Sequence, residues 1–130
     1  MKIPLSQVVK TLLLKTSVDE FLLALCPGDR QVDLKLLAYL LKEKRIDLAN
    51  RDEVHKVTGY FIGGVSPLGT RRQLPVLMDF LILQEKEISI SAGRWGCQIL
   101  ISPQALRDIL GSRLSVADIS RARAMSSLIL

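Results

Sequence analysis

Histidine and cysteine are scarce in this 130-residue chain: His55 stands alone, and Cys26 and Cys97 are the only thiols. Three such side chains, far apart in sequence, cannot assemble the four Cys and His ligands of a tetrahedral zinc site. A disulfide-stapled secreted fold is excluded as well, because the cysteines stand in no CxxC or other ligand-like spacing. With one histidine, no Ser-His-Asp or Cys-His arrangement is visible. His55 falls between Glu53 and Lys56 in a short predicted helix and reads as an exposed helix residue. Cys97 within a predicted strand and Cys26 at the end of another read as small buried apolar residues, not as nucleophiles.

Long hydrophobic runs are also missing. The densest, Phe21 to Cys26 and Leu74 to Leu83, fall far short of the roughly 20 residues a bilayer requires, and Asp79 interrupts the second. Met1-Lys2-Ile3-Pro4-Leu5 has a charge but no apolar stretch or cleavage site behind it, so no signal peptide is expected. The expectation is a soluble protein of the reducing cytoplasm, with no membrane partner. Repeats, low-complexity tracts and linkers are absent, which leaves a single domain over residues 1–130. Acidic residues are in deficit, 13 against 18 Lys+Arg for a net charge of +5, so nucleic acid comes first among acidic partners. The 48% apolar content excludes disorder.

What is present reads as strands and helices in irregular alternation. Val8 to Lys15 and Glu20 to Cys26 are apolar runs joined by the turn Thr16-Ser17-Val18-Asp19, and Pro27-Gly28-Asp29 breaks the chain. From Asp33, a predicted N-cap, the period changes: Leu34, Leu37, Ala38 and Leu41 mark one face of a helix. Asn50 and Glu53 have capping-box spacing for a second, short helix that Gly59 ends. Strands are predicted at Leu74 to Met78, Glu87 to Ser91 and Cys97 to Ser102, the last two joined by Ala92 to Gly96. A helix is predicted at Pro103 to Leu110, with Gly111 past its end. This order favours an α+β fold with a mixed sheet.

Two features carry chemistry. Thr58 to Gly69 holds four glycines and Pro67, a composition that lets main-chain N–H groups approach a ligand closely. Gly64 and Gly69 have P-loop spacing, but Thr70-Arg71 follows where Lys-Ser or Lys-Thr is required, so nucleoside triphosphate binding is unsupported. A plain turn is the competing reading. Lys10 lies inside the apolar run Val8 to Leu14, where a lysine is ordinarily a solvated edge residue. If one face of the sheet lines a cleft, Lys10 shares it with Leu12 and becomes an anion or carbonyl clamp.

Val9-Lys10-Thr11-Leu12-Leu13, Pro27 to Lys35, Thr58-Gly59-Tyr60 with Gly63-Gly64-Val65-Ser66-Pro67-Leu68-Gly69, Leu74-Pro75-Val76 with Asp79, and Ser91-Ala92-Gly93-Arg94 occur in a telling order. Together they resemble the YbaK/prolyl-tRNA synthetase-associated editing domains, from about Val8 to Ile119. The resemblance implies a mixed, partly barrel-like β-sheet flanked by helices. It implies an aminoacyl-tRNA deacylase that hydrolyses the ester of mischarged tRNA, with cysteine on proline tRNA the expected substrate. Lys10 and Gly64 are the implied catalytic residues. Thr11, Gly63, Val65, Ser66, Pro67, Ser91 and Gly93 are the implied substrate-binding residues.

The resemblance implies no cofactor and no metal; the implied partners are the tRNA acceptor end and prolyl-tRNA synthetase. An aminoacyl ester is already activated, so positioning and charge stabilisation at its carbonyl can suffice. In the cysteine-clearing branch the substrate's own thiol attacks its ester, and no protein cysteine is needed. Two departures stand out. Gln98 occupies a place where many relatives carry an acidic residue, and Lys10 follows only nine residues where relatives have a helix and one or two strands. The expectation is an N-terminally short domain, unless the start is misplaced or another chain fills the gap, since in relatives that segment contributes a wall of the pocket. The competing reading is a catalytically inactive tRNA- or synthetase-binding remnant.

Overall fold

The computed structural model describes residues 3–123; Met1, Lys2 and residues 124–130, the two ends of the expected domain, lie outside them. Among the described residues no helix is long and apolar enough to cross a membrane. After a short 3₁₀ turn at Leu5–Gln7 come strands β1 (Val9–Thr16), β2 (Phe21–Pro27) and β3 (Arg30–Val32), helix α1 (Leu34–Leu40), strand β4 (Ile46–Leu48) and helix α2 (Arg51–Thr58). Strands β5 (Val76–Asp79), β6 (Ile88–Ser91) and β7 (Gln98–Ile101), helix α3 (Pro103–Leu110), and strands β8 (Leu114–Ala117) and β9 (Ser120–Ala122) complete them.

The helices start where their caps place them. Asp33 accepts from Leu36 N at 3.1 Å, Ser102 accepts from Ala105 N at 3.1 Å, and Asn50 and Glu53 bond reciprocally at 2.8 and 2.9 Å. Gly59, at φ 82°, takes the left-handed turn that ends α2.

Five strands form one mixed sheet in the order β4-β1-β2-β5-β8. β1 pairs antiparallel with β2 and β4, whereas β5 pairs parallel with β2 and β8. The sheet is open, with β4 and β8 as its edges, so the barrel-like character expected for it does not extend to closure. The hairpin β6-β7 forms its own two-stranded sheet and meets the residue just before β1 through an isolated parallel bridge, Val8 to Ser89.

Strand alternation gives the sheet two buried faces. Val9, Leu13, Leu23, Leu25 and Met78 face α2, α3 and Val65, while Leu14, Leu22, Ala24 and Cys26 face Leu37 of α1. Buried Asp79 ties the end of β5 to the start of β9, accepting from Ile119 N at 3.1 Å and from Ser120 Oγ at 2.8 Å.

Candidate active site

The site follows from an incomplete ladder. β4 pairs with β1 only at Leu14, Lys15 and Thr16, and Ala49 N–H adds one bond to Leu13 O at 2.9 Å. The next partner on that edge is the bridge at Val8. Since Leu13 O points to the outer edge and Thr16 N–H to the β2 side, alternation turns the amide and carbonyl of Thr11 outward, where no strand pairs.

A cavity of about 370 Å³ occupies this gap, bordered by β1 from Val8 to Leu13, by Leu48, Ala49 and Val54, by Ile62, Gly63 and Val65, and by Ser91 and Gln98. Its volume lies within the range of ordinary small-ligand sites. Residues from both faces of β1 reach it because it runs along the strand's edge.

The cavity unites five expected residues, Lys10, Thr11, Gly63, Val65 and Ser91. Lys10 is half-buried, and its ammonium donates to the Arg30 carbonyl. The ion pairs of the described residues join Lys15 with Asp19 and Glu53, and Arg45 with Asp47; Lys10 is in none of them. Thr11 Oγ1 is buried and has no hydrogen-bond partner among the described residues. Such an orphan hydroxyl costs stability and calls for a reason. Ser91 Oγ accepts from Gly93 N at 3.1 Å, which holds the turn leaving β6.

Four expected residues do not border that cavity. The N–H of Gly64 is spent on Phe61 O at 2.8 Å, which removes it as a free donor. The left-handed residue of the pair is Gly63, at φ 85°. Ser66 and Pro67 are buried beneath the loop, where Ser66 Oγ accepts from Leu68 N at 3.1 Å and shapes the turn. Gly64 and Gly93 instead border a neighbouring groove. The wall made by Leu48, Ala49, Val54 and Ile62 was missed, its one sequence signal being the capped helix at Asn50. Gln98 also borders the cavity, its Oε1 accepting from Ser89 Oγ at 2.9 Å.

The cysteines differ from each other. Cys26 is buried, and burial pushes its thiol up to about 11, although Lys10 across the β1-β2 ladder pulls the other way. It is a neutral core residue. Cys97 is half-buried in the loop before β7, so the expectation that it is a buried strand residue is corrected. The Gly-rich turn ends the ladder before it.

Comparison with known proteins identifies the family of the fold. The chain is 29% identical over 109 residues to an Enterococcus faecalis protein, EbsC, named for a Cys-tRNA(Pro)/Cys-tRNA(Cys) deacylase, covering 84% of this chain and 66% of that protein. It is 35% identical to the proline–tRNA ligase of Thermoanaerobacter sp. (strain X514), over 65% of this chain and 15% of the ligase. A solved structure described as a trans-editing enzyme for prolyl-tRNA synthetase superposes with a TM-score of 0.84 at 28% identity, covering 92% of this chain and 73% of the other. The chain thus spans just under two thirds of the deacylase relative and a small part of the ligase. A model of the aminoacyl-tRNA editing domain matches residues 1–109, and the chain belongs to that family.

Proposed function

We propose that the chain is a trans-acting deacylase that hydrolyses the aminoacyl ester of mischarged tRNA, with cysteinyl-tRNA(Pro) as substrate. The observation that carries this reading is the cavity itself: its mostly apolar lining includes Lys10, which is in no ion pair with another described residue, and an unladdered strand edge. Its aliphatic lining, which includes Val9, Leu13, Leu48, Ala49, Val54, Ile62 and Val65, suits an uncharged side chain such as that of cysteine. Lys10 would stabilise charge developing on the ester oxygen, helped by main-chain amides at the strand edge and at Gly63. Thr11, after a turn about χ1, would offer its hydroxyl to the aminoacyl group.

No protein thiol suits the role of nucleophile. Cys26 is held neutral, and Cys97 does not border the cavity. A cysteinyl substrate brings its own sulfur: attack by its thiolate on its own ester carbonyl forms a cyclic thioester and breaks the bond to the tRNA 3′ oxygen, which takes a proton from solvent, and water then opens the ring to free cysteine. Ordinary thiols provide a few per cent of thiolate near neutral pH. Prolyl-tRNA synthetase is the partner that would supply such mischarged tRNA.

One observation favours the second reading, an inactive tRNA- or synthetase-binding remnant: the Lys10 ammonium already has an acceptor in Arg30. A deacylation panel of cysteinyl-, alanyl- and prolyl-tRNA decides between the two. The deacylase reading expects cysteinyl-tRNA to be consumed fastest, with a rate that rises from pH 6 to 8.5. No turnover of any substrate by folded protein would leave the remnant.

A further inference from the structure

We propose that the groove beside the acyl cavity binds the terminal nucleobase of a single-stranded RNA 3′ end, stacked on Phe61 and Trp95, with Arg51 and Arg94 on its phosphates. The proposal rests on the deacylase reading and names how the nucleic-acid side of that substrate is held. The groove encloses about 440 Å³ and is separate from the acyl cavity. Ile62 borders both, and of the two adjacent glycines Gly63 borders the cavity and Gly64 the groove. The cavity and the groove therefore adjoin along the segment Ile62-Gly63-Gly64.

The surface of the groove is unusual for a solvated one. Trp95 is 74% exposed and Phe61 66% exposed; the indole stands against the Gly63-Gly64 pair, and both residues border the groove. Trp95 has already spent its only donor, Nε1–H, on Ile62 O at 3.1 Å. The indole is thereby fixed while its π face stays free. Phe61 has one face covered by His55, whose ring lies 4.5 Å away at an interplanar angle of 14°. Its other face continues that stack outward.

Glycines make the arrangement possible, since a Cβ on Gly64 would stand 3.0 Å from Trp95 Cδ1. Arg51 and Arg94 border the same groove, and neither is in an ion pair with another described residue. Fixed aromatic faces beside unpaired guanidinium groups are the combination that single-stranded nucleic acid requires, base on ring and phosphate on cation. A peptide segment would use the rings but has no need of two cations.

Trp95 is the chain's single tryptophan, so its fluorescence reports on this groove alone. The probe is the 5′-phosphorylated trinucleotide CCA, titrated against the full chain. Saturable quenching is expected, and a trinucleotide abasic at its 3′ position should bind about 10-fold more weakly, as loss of one stacked base requires. By anisotropy of fluorescein-labelled CCA, Trp95→Ala and Phe61→Ala should each weaken binding about 10-fold, while Trp95→Phe restores most of it. Arg94→Gln should reduce the slope of log K against log[salt] by about 0.7. Both alanine variants should raise KM for cysteinyl-tRNA more than they lower kcat. Absence of quenching, equal binding of the abasic probe, or unchanged affinity in folded Trp95→Ala overturns the stacking site, and a peptide partner then takes its place. If CCA binds as described but no charged tRNA is deacylated, the stacking site stands and the deacylase reading falls.

Discussion

Replacing Lys10 by methionine separates charge from packing. The aliphatic stem of the half-buried side chain is retained, so little buried area is lost. One hydrogen bond disappears, that from the ammonium to the Arg30 carbonyl, and Arg30 is itself only half-buried, so water can replace the donor. The stability cost is then about 1 kcal/mol, the net worth of a typical hydrogen bond. In a domain of this size that lowers Tm by about 3–5 °C. The catalytic cost is larger if the ammonium faces the developing oxyanion, because losing one preorganised donor slows such reactions by about 10² to 10³. Two assays are needed, thermal unfolding followed by circular dichroism and single-turnover deacylation of cysteinyl-tRNA at a temperature where the variant is fully folded. The expected result is a small fall in Tm with a rate at least about 100-fold lower. A rate per folded molecule equal to wild type would refute the reasoning, and Lys10 would then be a clamp on the β3 backbone and nothing more.

Thr11→Val removes a buried hydroxyl that has no partner, so Tm should hold or rise while kcat/KM falls; a lower Tm with unchanged kcat/KM would show that the hydroxyl is already satisfied. A Cys26→Ala, Cys97→Ser double variant that remains folded should keep most of its deacylation rate on cysteinyl-tRNA, and loss of that rate would place the nucleophile on the protein. Gly93→Ala puts a Cβ 2.6 Å from Tyr60 Cε1 at φ 95°, and calorimetry should show a loss of about 1–3 kcal/mol from the strained backbone alone. The Glu53 carboxyl is held below its ordinary range, first by Lys15 and then by the Asn50 amide. Its contribution is present above its unfolded value and lost as pH falls through its lower folded value. Urea midpoints should therefore drop more steeply below about pH 4.5 in wild type than in Glu53→Gln.

Sequence made some parts of this molecule legible and hid others for physical reasons. Asp33, Asn50, Glu53 and Gly59 each fix a local geometry through their own side chain or lack of one, so both helix starts and the end of α2 could be read directly. β1 and β2 are long enough for their apolar content to mark them. β3, β4 and β9, at three residues each, carry too little of a period to register, and their pairing depends on partners far along the chain. In the same way the loop from Gly63 to Pro67 could be recognised as special, but not which of its members meet the cavity. That division depends on hydrogen bonds closed within the loop, Gly64 to Phe61 and Leu68 to Ser66, which occupy the Gly64 amide and accompany the burial of Ser66 and Pro67.

The outer edge of β1 also sets a limit on how stable this fold can become. β4 stops one main-chain bond short of the segment around Thr11, and a β4 lengthened by two or three residues would pair with it. Such a strand would satisfy Thr11's outward amide and carbonyl, fill the chamber with its own side chains, and remove an edge that could otherwise recruit a foreign strand. It would also leave nowhere for an ester to sit. Selection for thermal robustness alone would therefore tend to erase the site, and a more stable homologue in which β4 has grown across this gap should be a silent one.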